Sequence, residues 1–162
     1  MHWYEDEVRH LENRRKEKTG PARKVVFYGS SSIRLWETLQ NDFLQIQAVN
    51  LGFGGSTLAA CSWFFNRLVL PQQPEALILY AGDNDLGDGR HPEEIFLFFQ
   101  TIDAKVRRHF GAIPFTFVSV KPSPVRWHIA EQIKYTNRLI RQELAEGENN
   151  HYIDISRSQK LV

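Results

Sequence analysis

The segment KVVFYGSSSIRLWETL, residues 24–39, contains the strand-to-helix transition that indicates the fold class. Its first part, residues 24–28, is apolar and rich in β-branched side chains, and it ends at Gly29, which is typical of a short buried strand. Its second part, residues 31–39, places four apolar side chains at helical spacing. We therefore predict a strand that turns directly into a helix through glycine and serine.

The same alternation recurs along the chain. Apolar runs predict four further strands, at residues 45–50, 76–81, 114–120 and 152–155. Apolar residues at helical spacing predict further helices over residues 3–18, 58–68, 92–110 and 129–146, whereas residues 82–90 are polar and predict a loop. Strands that alternate with helices imply an α/β fold with a parallel sheet covered on both faces.

Size and composition agree with one domain over residues 1–162. The chain has 162 residues, of which 42% are hydrophobic, and this is enough for one sizeable core. Residues 1–20 are highly charged, and we expect them to form a helix that packs on the domain. This segment has no apolar core of the kind that a secretory signal requires.

Charge and cysteine content exclude several classes of protein. The net charge is +1, so no strong field favours nucleic acid. No apolar run approaches the roughly 18 residues of a membrane span. Cys61 is the single cysteine, so the chain has neither an internal disulfide nor a cysteine-based metal cluster. We expect a soluble, cytoplasmic protein.

Three short motifs follow the first three predicted strands. They are FYGSSS at residues 27–32, NLGFGGST at residues 50–57 and AGDND at residues 81–85. In an open α/β sheet, ligands bind beyond the carboxyl ends of the strands. The fold class therefore predicts that these motifs meet at one edge of the sheet, around one small cavity.

Ser31 is the candidate nucleophile of this cavity. A serine at a strand-to-helix turn can attack a carbonyl carbon while its own N–H donates to the oxyanion. The alternative is structural, because Ser30, Ser31 and Ser32 are all good N-cap residues for the helix that follows.

Gly55 and Asn84 are the candidate oxyanion donors. A glycine lets its N–H approach a ligand without interference from a Cβ, and an amide side chain is a neutral donor. Each residue also has a simpler explanation in turn formation. Their order and their common sheet edge favour the joint interpretation.

The segments FYGSSSIRLW, NLGFGGSTL, LYAGDND and SVKPSPVRW resemble the conserved blocks of the SGNH, or GDSL-type, hydrolases. The resemblance runs from about residue 25 to about residue 156. It implies a three-layer α/β/α sandwich whose five parallel strands have the flavodoxin-like order 2-1-3-4-5. It also implies a lipase-like carboxylesterase or acylhydrolase that acts on a small-molecule ester without metal or cofactor. By this resemblance Ser31 is the nucleophile, and Gly55 and Asn84 are oxyanion donors.

The sequence departs from that family at two places. Ser30 replaces the aspartate of the Gly-Asp-Ser block, beside the nucleophile. More seriously, no Asp-x-x-His follows residue 155, so we interpret the chain as C-terminally truncated relative to the family. An incompletely covered sheet would also favour a homo-oligomer.

No other histidine is an obvious substitute for the missing base. His128 follows the fourth predicted strand and is the best candidate, although a surface position explains it better. His91 lies in a loop, and we place His151 before the fifth strand, at the opposite sheet edge. We place Asp154 within the fifth strand and do not assign it as the triad acid.

Two functions of different classes remain open. The first is an ester hydrolase with a serine nucleophile, whose base the sequence does not contain. The second is a catalytically silent domain that keeps the pocket and binds an acyl or carbohydrate ligand. A nucleotide-binding domain is a distant third, because Gly52-x-Gly54-Gly55 lacks the spacing of a dinucleotide fingerprint.

Overall fold

Five parallel strands form a single sheet in this computed structural model, which describes residues 1–14 and 23–156. The strands are β1 (Lys24–Gly29), β2 (Gln47–Gly52), β3 (Ala76–Tyr80), β4 (Phe115–Val118) and β5 (Asn150–Ile153). Their order is β2-β1-β3-β4-β5, and each neighbouring pair is parallel. The predicted α/β class and strand order are confirmed.

Helices flank the sheet. They are α1 (Glu5–Arg14), α2 (Ser31–Arg34), α3 (Leu39–Asp42), α4 (Leu58–Leu68), α5 (Asp83–Gly87), α6 (Pro92–Phe110) and α7 (Ala130–Glu146). Single 3-10 segments span His2–Tyr4, Leu70–Gln72 and Pro124–Ile129. Helix α4 packs between α1 and α6, and α6 packs against α7.

Side chains that alternate along the strands separate the two layers. On one face, residues such as Tyr28 and Phe117 join the large core formed with α1, α4, α6 and α7. On the other face, Phe27 forms a smaller cluster with residues of α2 and α3. Ile153, in the edge strand β5, has 48% of its surface exposed, so the second layer covers the β2 side of the sheet more fully than the β5 side.

The helix predicted over residues 31–39 is interrupted. Helix α2 ends at Arg34, and α3 begins only at Leu39. The reason lies in β2, because the Asn50 side-chain amide donates to the Ile33 carbonyl at 2.6 Å. The same carbonyl accepts from the Trp36 N–H at 3.1 Å, and the Glu37 N–H, which would bond to it in a continuous α-helix, donates to the Leu35 carbonyl instead.

Three predicted boundaries are also corrected. The predicted loop over residues 82–90 contains α5, whose first turn carries acidic residues that suit a helix N-terminus. Strand β5 begins two residues earlier than predicted, so His151 lies inside the strand and Asp154 lies just after it. The predicted placements, with His151 before the strand and Asp154 within it, are therefore wrong.

The charged N-terminal helix is present between Glu5 and Arg14, and the rest of its predicted span, residues 15–18, lies outside the described residues. Trp3 precedes this helix and is 76% exposed. Tyr4 is buried instead, together with Val8 and Leu11.

Candidate active site

The turn after β1 places Ser31 at the start of α2. The Ser30 N–H donates to the Tyr80 carbonyl at 2.9 Å, which fixes the turn to the end of β3. Gly29 has a φ of +139°, and a Cβ at this position would lie 2.0 Å from the Tyr80 oxygen. Only glycine fits such a turn.

The three neighbouring serines differ in their surroundings. Ser30 is the N-cap residue of α2, but its side chain makes no capping hydrogen bond, and it is buried. Ser31 is half-buried, and Ser32 is exposed. The N-cap explanation therefore applies to Ser30 by position, and Ser31 remains the candidate nucleophile.

The loop after β2, residues 53–57, is bound to the Ser31 turn. The Phe53 N–H donates to the Gly29 carbonyl at 3.0 Å. Gly55 has a φ of +65° and is exposed, with no atom within 4 Å of where a Cβ would stand. A side chain here would therefore meet no neighbour, and the left-handed φ is what favours glycine at this position.

Asn84 lies in α5, after β3, and its amide is held at both ends. Its Nδ2 donates to the Ser56 carbonyl at 3.0 Å. Its Oδ1 accepts from Arg126 Nη2 at 2.9 Å. Because an amide nitrogen carries two hydrogens, one N–H is engaged and a second remains to donate.

Arg126 was not identified from the sequence as a site residue. Its Nη1 donates to Asp83 at 2.8 Å, so one guanidinium group holds both Asp83 and Asn84. A Cβ at position 87 would lie 2.9 Å from this guanidinium, and Gly87 therefore leaves room for it. Its position is the one feature of the sequence that could have indicated this role, because Arg126 follows β4 at the same sheet edge as the three motifs.

Asp85, the next residue, joins α5 to α4. Its carboxylate accepts from the Leu58 N–H at 2.7 Å, and the side chain is fully buried. Burial raises the pKa of Asp85 from 3.8 to about 6, although the Leu58 and Ala59 N–H groups and Arg90 act in the opposite direction. Ionisation of Asp85 therefore destabilises the folded chain.

Asp85→Asn should remove a pH dependence of folding. Because the pKa of Asp85 is higher in the folded chain, its contribution to stability is complete below pH 3.8 and is lost as pH rises through about 6. Relative to the variant, the parent chain should lose about 2 kcal/mol of unfolding free energy between pH 4 and pH 7. Urea unfolding at several pH values measures this difference.

The exposed Asp88→Asn variant is the matched control for that measurement. It should follow the parent chain across the whole pH range. If the unfolding free energies of the parent and Asp85→Asn chains changed in parallel with pH, burial would not have raised the pKa of Asp85.

The histidines give Ser31 no base in this structure. All six lie in the described residues, and none forms a hydrogen bond to Ser31. His128 and His151 are exposed, and His91 caps α6 in a reciprocal pair with Glu94. Asp154 is exposed and accepts from the Ser156 N–H at 3.0 Å.

Within residues 1–14 and 23–156, no three His, Cys, Asp or Glu side chains are grouped so that they could hold a metal ion. Over the same residues, no helix has the length and apolar character needed to cross a membrane. Burial raises the pKa of the Cys61 thiol far above its usual range. The thiolate, which is the reactive form, is therefore disfavoured.

The order of these blocks agrees with a known family. The model of the GDSL-like lipase/acylhydrolase family matches residues 22–161. The chain belongs to this family. Among curated proteins, by contrast, none matches the sequence.

Solved structures of three hydrolases share the fold at low sequence identity. A protein described as an acylhydrolase from Bacteroides fragilis has 18% identity and a TM-score of 0.77, with 96% of this chain and 76% of that chain covered. A GDSL-like lipase from Bacteroides thetaiotaomicron has 18% identity and a TM-score of 0.70, with 91% and 77% covered. An acetyl xylan esterase has 22% identity and a TM-score of 0.69, with 83% and 78% covered.

Proposed function

We propose that the chain is a serine-nucleophile ester hydrolase that acts on small carboxylic esters. The Ser31 hydroxyl attacks the acyl carbon, and the N–H groups of Ser31 and Gly55 and the Asn84 amide stabilise the oxyanion. The alcohol then leaves, and water releases the acid from Ser31. Membership of the GDSL-like family supports an acyl substrate, as does the structural similarity to an acylhydrolase and an acetyl xylan esterase.

The observation that carries this proposal is the way Asn84 is held. Ser56 and Arg126 fix both ends of its amide, which leaves one N–H in a constant direction. A donor that is already oriented stabilises a developing charge without reorganisation during the reaction. A residue needed only for a turn would not require this second hydrogen bond, from Arg126 in the loop after β4.

The step without an assigned group is proton transfer from Ser31. A serine hydroxyl is a weak nucleophile near neutral pH unless a base takes its proton. Since no histidine is bonded to Ser31, we infer that the 162-residue chain hydrolyses esters slowly. An oxyanion site and substrate binding alone can still give about 10³- to 10⁴-fold acceleration over water.

Hydrolysis of p-nitrophenyl acetate tests the oxyanion part of the proposal. The parent chain should release p-nitrophenol slowly but above the rate in buffer. Asn84→Ala should lower this excess rate by about 100-fold, because one oxyanion donor is lost. Asn66→Ala, which changes an exposed residue of α4, is the control and should leave the rate unchanged. Equal rates for all three chains would refute the role of Asn84.

The absence of a bonded histidine also favours one second candidate, a domain that binds an acyl or carbohydrate ligand without turnover. The two functions differ in what Ser31→Ala does. In the hydrolase the variant loses the residual reaction, whereas in a binding domain it should retain the affinity of the parent chain for acetate or a short acyl chain, measured by calorimetry.

A further inference from the structure

The N-terminal segment contacts the loop that carries Gly55. The Tyr4 hydroxyl donates to the Gly55 carbonyl at 3.0 Å. One turn later, Glu7 Oε2 accepts from the Gly54 N–H at 2.8 Å. Two consecutive residues of the loop are therefore bonded to side chains about 50 positions earlier in the chain.

The segment that provides these contacts is itself firmly attached. Arg67 of α4 pairs with Glu5 and Glu12 of α1, each at 2.9 Å. The Tyr4 ring is 7% exposed and packs edge-on against Phe53, with 5.4 Å between ring centroids. Helix α1 can therefore act as a fixed support for the loop.

The loop needs such a support because its own residues provide little rigidity. Gly54 and Gly55 have no side chains, and glycine has the greatest backbone freedom of all residues. Gly55 is also exposed, so no packing restrains it. The bonds from Tyr4 and Glu7 therefore restrain the two residues that need it most.

Glu7 also reaches the helix that begins with Ser31. Its Oε1 lies 3.4 Å from Arg34 Nε, at the last residue of α2. One carboxylate thus contacts both the helix of the candidate nucleophile and the loop of the candidate oxyanion donor. The strands β1 and β2 link these segments through the backbone, and Glu7 adds a side-chain link.

We propose that Tyr4 and Glu7 are positioning residues that hold the Gly55 N–H toward the acyl oxygen beside Ser31. This inference rests on the proposed ester hydrolysis. It assigns the N-terminal segment, residues 2–14, a part in the reaction. This segment lies outside the three motifs and carries no group that touches substrate. Neither residue transfers a proton.

Amide hydrogen exchange tests this support without requiring any reaction. Tyr4→Phe removes the bond to the Gly55 carbonyl but leaves the Gly54 and Ser56 N–H partners unchanged. Faster exchange at these two amides would therefore report motion of the loop. We expect an increase of about tenfold, as for loss of one buried hydrogen bond.

The matched control is Tyr28→Phe, which also removes one bond from a tyrosine hydroxyl to a backbone carbonyl, here that of Cys61 at 2.8 Å, outside the loop. It should lower the thermal midpoint at least as much as Tyr4→Phe does while leaving Gly54 and Ser56 protected. Equal exchange in the two variants would overturn the proposal. Glu7→Ala should expose the Gly54 amide, and Glu7→Gln, which keeps an acceptor, should largely restore its protection.

The rate of p-nitrophenyl acetate hydrolysis then tests the consequence for the reaction. Tyr4→Phe should lower kcat about tenfold with little change in KM, whereas Tyr28→Phe should change neither. Unchanged kcat in Tyr4→Phe, together with faster loop exchange, would overturn the positioning role. If the parent chain does not react above buffer, the proposed hydrolysis fails, and the exchange comparison alone decides whether Tyr4 restrains the loop.

Discussion

Gly29→Ala should destabilise the fold more than any other single glycine substitution at the candidate site. A Cβ at this position would lie 2.0 Å from the Tyr80 carbonyl oxygen, and both groups belong to paired strands that cannot separate easily. The φ of +139° adds a conformational cost of its own. We expect the unfolding free energy to fall by about 4 kcal/mol or more, in the range reserved for severe packing defects.

Thermal unfolding measures this loss, and the midpoint should fall by roughly 10 °C for a domain of this size. Gly89→Ala is the control, because its φ of +86° is also positive but no atom lies within 4 Å of the added Cβ. It should cost about 1 kcal/mol. Similar losses at both positions would mean that the contact with Tyr80 does not determine the turn after β1.

The sequence was sufficient for the fold because its signals are local. Five apolar runs separated by helical stripes predict the parallel sheet, and the family resemblance supplied the strand order. The predicted ends of the strands are less accurate where a strand contains polar residues. Strand β5 begins with Asn150 and His151, which pair in register with Phe115 and Thr116 of β4. Backbone pairing determines this strand, and an apolar pattern does not report it.

The contacts of the candidate site were harder to predict because they join distant parts of the chain. Asn50 interrupts the helix after Ser31 from the neighbouring strand. Arg126 reaches Asn84 across 42 positions, and Glu7 reaches Gly54 across 47. Charged residues such as Glu7 and Arg126 are usually solvated at the surface, so nothing in their local sequence marked them as partners of a turn.

Ser31→Ala should remove the reaction of the chain with an alkyl fluorophosphonate. In this reaction the Ser31 oxygen bonds to phosphorus, fluoride leaves, and the hydroxyl proton passes to water. Without an assigned base the reaction should be slow, but oriented donors around one serine should still make that serine react before the others. Ser30→Ala and Ser32→Ala are the matched controls, since they change the flanking hydroxyls of the same turn.

The most direct measurement is therefore the position of the adduct, determined by peptide mass spectrometry after incubation of the parent chain and the three alanine variants with the fluorophosphonate. A single phosphonylated serine at Ser31, absent only from Ser31→Ala, is the expected result. An adduct spread over several serines, or one that persists in Ser31→Ala, would contradict the assignment of Ser31 as the nucleophile.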